Sequence, residues 1–175
     1  MIQATPKSLA NNAAILLFTV GLAAIAIAWG YQIIGGFVPC ELCLEQRVPY
    51  YVGLPLTLAG LFLSLENKLG AAALLFCAVT VIFAYGSGLG LYQAGAEWGF
   101  WLGPNGCGGS SGGPDSAADM LSALQSTRLV SCTEASWRFL GLSFAGWNAV
   151  VSGGLAVLGL VAALLLRRSG KMVAA

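Results

Sequence analysis

Two cysteines three positions apart, Cys40 and Cys43, stand in the run Pro39-Cys40-Glu41-Leu42-Cys43. A dithiol at this spacing can close to a disulfide and reopen, so it can take up and release two electrons. Pro39 ahead of the pair predicts a helix N-terminus with proline in the first turn, where the backbone N–H groups lack partners in any case. At such an end the free amides and the macrodipole favour an anionic thiolate. Cys40, Cys43 and Arg47 follow the spacing i, i+3, i+7, which puts them on one face of a helix. A thiolate held next to a permanent positive charge is both a good leaving group and a usable nucleophile.

The other cysteines bear on how this pair works. Cys107 lies in the glycine-rich tract 103–114, and Cys132 precedes Thr133-Glu134 and the run Trp137-Arg138-Phe139. As a structural bridge, Cys107 and Cys132 could add a few kcal/mol. Two pairs outside the apolar segments, one at their boundary and one in a loop, suggest an electron relay instead. A structural role suits the C-x-x-C poorly, because it closes too small a loop to restrain the unfolded chain. Four thiolates could also hold zinc. The second pair lacks close spacing, however, and an oxidising compartment opposes a tetrathiolate, so no metal site is expected. Arg47 read alone is an interfacial side chain with its charge reaching to water; only its register with both cysteines argues for more. Cys77, inside an apolar run, reads as a small hydrophobe. Histidine is absent, which removes the commonest general base.

What must position these thiols is a set of apolar helices. Of 175 residues 58% are hydrophobic and 9% charged, and mean hydropathy is +0.82. Soluble domains carry about 25% charged residues. Four stretches match the roughly 20 apolar residues needed to cross a hydrocarbon core: 13–34, 48–65, 69–92 and 145–166. They predict an all-α membrane protein, a four-helix bundle in a single domain. The first stretch is too long for a signal-peptide core and no A-x-A-like site follows it, so it is expected to remain as a membrane helix. Glu66-Asn67-Lys68 allows only a tight antiparallel turn between the second and third spans. A short loop, 35–47, carries the C-x-x-C, and a long loop, 93–144, carries Cys107 and Cys132. Gly86, Gly88, Gly90, Gly153, Gly154 and Gly159 are expected to let helices approach closely. In the long loop, 115–125 can form a short helix with Met120, Leu121 and Leu124 on one face, suited to an interfacial position or to ordinary packing.

Orientation follows from the Lys/Arg bias. Lys7, Lys68, Arg167, Arg168 and Lys171 share one side with Glu66 as its one acid, whereas Arg47, Arg128 and Arg138 share the other with the remaining carboxylates. Both termini are therefore expected in the cytoplasm. Trp29, Trp98, Trp101, Trp137 and Trp147 fall near the outer ends of the spans, as an interfacial belt does. The lipid bilayer is the expected environment. A net charge of +1 without a basic stripe gives no sign of nucleic-acid binding.

The run Pro39-Cys40-Glu41-Leu42-Cys43-Leu44-Glu45-Gln46-Arg47 resembles the P-C-x-L-C-x-x-Q-R signature of the bacterial disulfide bond formation protein B family, DsbB. Glu97-Trp98-Gly99-Phe100-Trp101, Cys132 with Trp137-Arg138-Phe139-Leu140-Gly141-Leu142-Ser143, and Trp147-Asn148 are similar to it as well. The likeness covers nearly the whole chain and includes the four-span layout. It implies a quinone-dependent protein thiol-disulfide oxidoreductase of the bacterial inner membrane, with its redox loops facing the periplasm. Its partner would be a periplasmic DsbA-type thiol oxidase, and its electrons would pass to ubiquinone or menaquinone of the membrane pool.

By the same resemblance, Cys107 would be attacked by the partner's thiolate and Cys132 would be its redox mate. Cys40 would exchange with Cys132, and Cys43 would face the quinone with Arg47 beside it. Reoxidising such a partner needs a strong oxidant, since DsbA itself stands near about −120 mV and structural disulfides lie below about −300 mV. That difference is roughly 180 mV, or about 8 kcal/mol for two electrons. The chain departs from many relatives at Gln93, where they carry histidine; Glu97 or water would then have to handle protons. Two alternatives compete with this reading: a specialised paralogue serving one dedicated thiol oxidase, and a non-enzymatic tetraspan scaffold with structural disulfides.

Overall fold

In a computed structural model the described residues are 5–102, 128–129, 135 and 137–173. Their helices are α1 (Pro6–Ile33), α2 (Glu41–Glu45), α3 (Val48–Leu65), α4 (Leu69–Glu97) and α5 (Phe144–Val173). Four segments are long and apolar enough to cross a membrane: Pro6–Ile33, Glu41–Leu65, Leu69–Glu97 and Phe144–Met172, the second counting α2 and α3 together. The second predicted stretch, 48–65, coincides with α3. The other three helices outrun their apolar stretches at polar ends. Thr5 caps α1 by accepting from Ser8 N at 3.2 Å, with Pro6 in the first turn. Hydropathy marks only the lipid-compatible part of a helix, whereas backbone hydrogen bonding continues through Gln93–Glu97 and Arg167–Val173.

Between α3 and α4, Asn67 adopts φ 59° and Lys7 Nζ donates to its Oδ1 at 2.6 Å. The start of α1 and the 66–68 turn therefore lie at the same end of the bundle. Near it, Ala10, Ala14, Ala72, Ala73, Ala162 and Ala163 pack around Phe76 and Leu166. Small side chains let the helices come close, and dispersion between them replaces the hydrophobic drive that lipid cannot supply. Leu17, Tyr50, Leu54, Val79, Phe83 and Leu155 fill the middle layer. At the opposite end, Cys40 and Leu42 pack with Cys43 and Leu89.

α4 packs most extensively against α5. A Cβ added at Gly90 would come within 2.7 Å of Ala149 N and 2.9 Å of Ala145 O, so only glycine permits this approach. Gly86, against Pro49, and Gly159, against Thr80, also sit at close contacts, but Gly88 and Gly154 face open space. The expected role in packing thus holds for some of the six glycines and not for those two. Cys77 is half-buried and not enclosed: it lines the small-residue layer, and Arg167 Nη2 lies 3.9 Å from its sulfur.

Short strands complete the cysteine end. β1 (Phe37–Val38) pairs in parallel with β2 (Arg128–Leu129), tying the segment before the C-x-x-C to the long loop. β3 (Arg138–Phe139) pairs antiparallel with β4 (Leu142–Ser143), in register Arg138 with Ser143. Leu140 and Gly141 close this hairpin with φ 52° and 83°, the left-handed pair that two-residue hairpins require. The 115–125 helix anticipated in the long loop lies outside the described residues.

Candidate functional site

Cys40 is the N-cap of α2, with extended backbone (φ −71°, ψ 166°). Pro39 therefore precedes the cap instead of occupying the first turn, as its place in the sequence had suggested. The Cys40 sulfur accepts from the Cys43 backbone N–H at 3.4 Å, the capping bond that serine or aspartate supplies elsewhere. Both cysteines are free thiols, and their sulfurs are 2.9 Å apart with Cys40 donating to Cys43. That hydrogen bond and burial push the Cys40 thiol upward, although the backbone amides of Cys43 and Leu42 pull the other way. In the reduced pair Cys40 is thus the donor and Cys43 the acceptor.

The helix is interrupted between Glu45 and Val48, so Cys40, Cys43 and Arg47 do not share one continuous helical face, although Cys43 and Arg47 line the same cavity. Pro49 has no N–H and its ring crowds the carbonyl four residues back, which favours a kink or break in the helix just before it. The chain tightens there: Arg47 N donates three residues back to Leu44 O at 3.0 Å, and α3 starts afresh at Val48. Arg47 turns to α1. It donates to Gln32 Oε1 at 2.5 Å and to the Ala28 carbonyl at 3.5 Å, and its guanidinium lies 5.5 Å from the Trp29 ring centroid. All these partners are neutral, so a guanidinium only 9% exposed has no acidic partner among the described residues. Proline at position 49 was the sequence signal for this break.

The thiols instead meet a buried polar cluster. Gln93 Nε2 lies 3.7 Å from Cys43 Sγ, 4.0 Å from Cys40 Sγ and 3.4 Å from Glu97 Oε1. Gln46 Nε2 donates to Gln93 Oε1, Asn148 Nδ2 donates to Gln46 Oε1, and Tyr50 donates to Asn148 Oδ1 with Ser152 beside it. Composition made Gln46, Tyr50, Asn148 and Ser152 unremarkable one by one. Amides and hydroxyls inside apolar spans are costly unless bonded, and that was the available signal for them. Glu97 Oε2 is buried without a hydrogen-bond partner among the described residues.

Cys43, Arg47, Gln32, Gln93 and Glu97 open onto one cavity of about 500 Å³ between α1, α3, α4 and α5. Its walls are largely apolar. Tyr31 meets Phe144 edge-on at 4.6 Å, and Trp137 stacks on Phe139 at 5.7 Å. Trp147 Nε1 fixes the hairpin by donating to the Phe139 carbonyl at 3.0 Å. Of the residues singled out in the sequence, Cys40, Cys43 and Arg47 are thus gathered at one end of the bundle, whereas Cys107 and Cys132 lie outside the described residues. Among the described residues no cluster of three or more metal-ligating side chains occurs.

The family described as disulfide bond formation protein DsbB matches residues 10–162. A disulfide bond formation protein B of Marinobacter nauticus is 32% identical over 166 residues, covering 87% of this chain and 90% of that protein. One of the same description from Xylella fastidiosa strain Temecula1 is 34% identical over 152 residues, covering 83% of each. No solved structure matches significantly. With family motif, span layout and likeness over most of the chain in agreement, the chain belongs to the disulfide bond formation protein DsbB family.

Proposed function

We propose that this protein reoxidises a periplasmic DsbA-type thiol oxidase, relaying electrons through Cys107 and Cys132, then Cys40 and Cys43, to ubiquinone or menaquinone. One observation carries this reading: Cys43, whose free thiol lies 2.9 Å from that of Cys40, stands at the wall of an apolar cavity that also receives the Arg47 guanidinium, which has no acidic partner among the described residues. Ligand cavities are typically about 300–1,000 Å³, apolar with a few placed polar groups, and this one fits a quinone ring. Cys43, Arg47 and Gln32 would hold its polar edge, with Ile27 and Phe144 against its apolar face. When bound, a quinone supplies the acceptor for two electrons and two protons.

The residues of the chain do the rest. Cys107 takes the partner's thiolate, Cys132 is its mate, and Cys40 exchanges with Cys132. Cys40 and Cys43 then close to a disulfide, which needs their sulfurs to move from 2.9 Å to about 2.05 Å. One S–S bond forms as two electrons and two protons leave. Arg47, buried among neutral partners, stabilises negative charge appearing in the cavity. Pairing of β1 with β2 supports the relay by joining the C-x-x-C segment to the loop bearing Cys107 and Cys132.

In this reading the protein is a multi-pass inner-membrane protein with both termini cytoplasmic and both redox segments periplasmic. Lys7 beside Asn67 and the basic C-terminal turn support the assignment through the positive-inside rule. The test is purified protein in lipid nanodiscs with reduced DsbA-type protein and either quinone. One quinol is expected for each thiol pair oxidised, and partner oxidation without quinol formation sinks the proposal.

A further inference from the structure

The side chains behind Cys43 all donate in one direction. Tyr50 Oη donates to Asn148 Oδ1 at 2.8 Å, Asn148 Nδ2 to Gln46 Oε1 at 2.7 Å, and Gln46 Nε2 to Gln93 Oε1 at 2.5 Å. Each amide receives at its oxygen and gives at its nitrogen. The last nitrogen, Gln93 Nε2, is nearer the Cys43 sulfur, at 3.7 Å, than the Cys40 sulfur, at 4.0 Å, and the Gln93 oxygen, which the protonated Cys43 thiol can reach as a donor, is farther from that sulfur, at 3.9 Å. Aligned hydrogen bonds polarise one another, strengthening each by about 10–30%. Gln46 and Gln93 are 6% and 2% exposed, so water screens little of this field. Four polar side chains from α3, α4, α5 and the α2–α3 junction make a costly way to pack helices, since apolar residues would serve as well.

We propose that the Tyr50–Asn148–Gln46–Gln93 chain is a positioning device that aims partial positive charge at Cys43 and so makes it, not Cys40, the sulfur bearing the negative charge of the reduced pair. Cys40 assists from the other side, donating to Cys43 at 2.9 Å. Among the described residues the titratable or charged groups that line the Cys43 cavity are Arg47, Tyr50, Glu97 on α4 and Tyr31 on α1, with Cys40 hydrogen-bonded to Cys43; α5 lines it with neutral side chains such as Asn148 and Val151. Glu97 opposes the device, because its Oε1 competes for the Gln93 donor at 3.4 Å. A thiolate fixed on one sulfur separates two roles, one thiol for exchange and the other for the cavity. This inference rests on the relay reading only in taking Cys40 and Cys43 as the reacting pair.

The test reads the thiolate directly. Reduced, quinone-free protein in nanodiscs is alkylated with iodoacetamide across a pH series, and mass spectrometry follows the label on Cys43. Steric access changes the plateau rate, whereas the thiolate fraction sets the midpoint. Asn148→Leu cuts the chain and Tyr50→Phe removes only its first donor, keeping the ring on Phe83. Both should move the Cys43 midpoint to higher pH. At a pH below both midpoints Asn148→Leu should label about tenfold more slowly, as loss of one hydrogen bond serving a charged group implies. Tyr50→Phe should slow it less. Thr57→Val, which deletes a buried hydroxyl bonded to Gly53 O outside the chain, should leave the midpoint unchanged. The proposal is overturned if Tyr50→Phe and any folded Asn148→Leu protein keep the native midpoint, or if Thr57→Val shifts it equally. No quinone or partner protein enters this assay, so its failure would leave the relay standing, and failure of the relay would leave this result standing.

Discussion

Gln46 Nε2 donates to Gln93 Oε1 at 2.5 Å, locking the kink between α2 and α3 to the last turns of α4 and turning the Gln93 amide toward the cysteines. Gln93→Leu removes the acceptor and orphans a buried donor. Such orphaning costs about 1–3 kcal/mol. Equilibrium unfolding in mixed micelles should show a loss of this size. A stability equal to the native protein's would mean that water or another side chain replaces Gln93 without penalty.

Either cysteine of the C-x-x-C should be indispensable for turnover and dispensable for folding. Cys40→Ser retains an N-cap hydroxyl, which satisfies the Cys43 N–H as the sulfur does at 3.4 Å. Thermal stability should therefore stay within about 1 kcal/mol of native. Quinone-dependent oxidation of a reduced DsbA-type protein should fall to background in both Cys40→Ser and Cys43→Ser. Residual turnover in either would remove the pair from the electron path.

Arg47 combines a hydrogen bond to Gln32, one to the Ala28 carbonyl and a stack on Trp29. Lysine retains the charge but neither the planar fork nor the stacking surface. Arg47→Ala should raise the KM for quinone by roughly tenfold or more, the cost of losing one good charge-assisted contact. Arg47→Lys should fall between alanine and native. Steady-state rates at varied quinone and saturating partner protein measure this. An unchanged KM in Arg47→Ala would confine the residue to holding α1 against the kink.

The bundle was legible because charge-free runs of spanning length have few alternatives in lipid, and 48–65 coincides with α3 for that reason. Helix ends were less legible: Pro6–Ser8 and Gln93–Glu97 are polar yet continue the backbone ladder. The C-x-x-C was readable from spacing alone. Its surroundings were not, because Gln46, Gln93 and Asn148 are far apart in sequence and meet only when α4 and α5 pack. The break before Pro49 was available from proline chemistry, but the regular spacing of Cys40, Cys43 and Arg47 masked it. Of the six glycines read as packing positions, the sequence could not separate Gly90 from Gly88, since helical phase relative to α5 decides which one meets backbone.

That phase gives the last prediction. Gly88 has nothing within 4 Å of an added Cβ, whereas at Gly90 the same atom would lie 2.7 Å from Ala149 N and 2.9 Å from Ala145 O. Those are main-chain atoms of α5 and cannot rotate aside, so Gly90→Ala must push the helices apart. Overpacking of this kind costs about 1–3 kcal/mol. Gly88→Ala relieves the backbone freedom of glycine without a clash and should stabilise by about 0.5–1 kcal/mol. Since Gln93 and Asn148 extend from these two helices, Gly90→Ala should also weaken the polar chain and slow thiol oxidation, whereas Gly88→Ala should leave the rate alone. Paired unfolding and turnover measurements on the two variants check both signs; equal destabilisation would show that the close crossing at Gly90 does not set the α4–α5 contact.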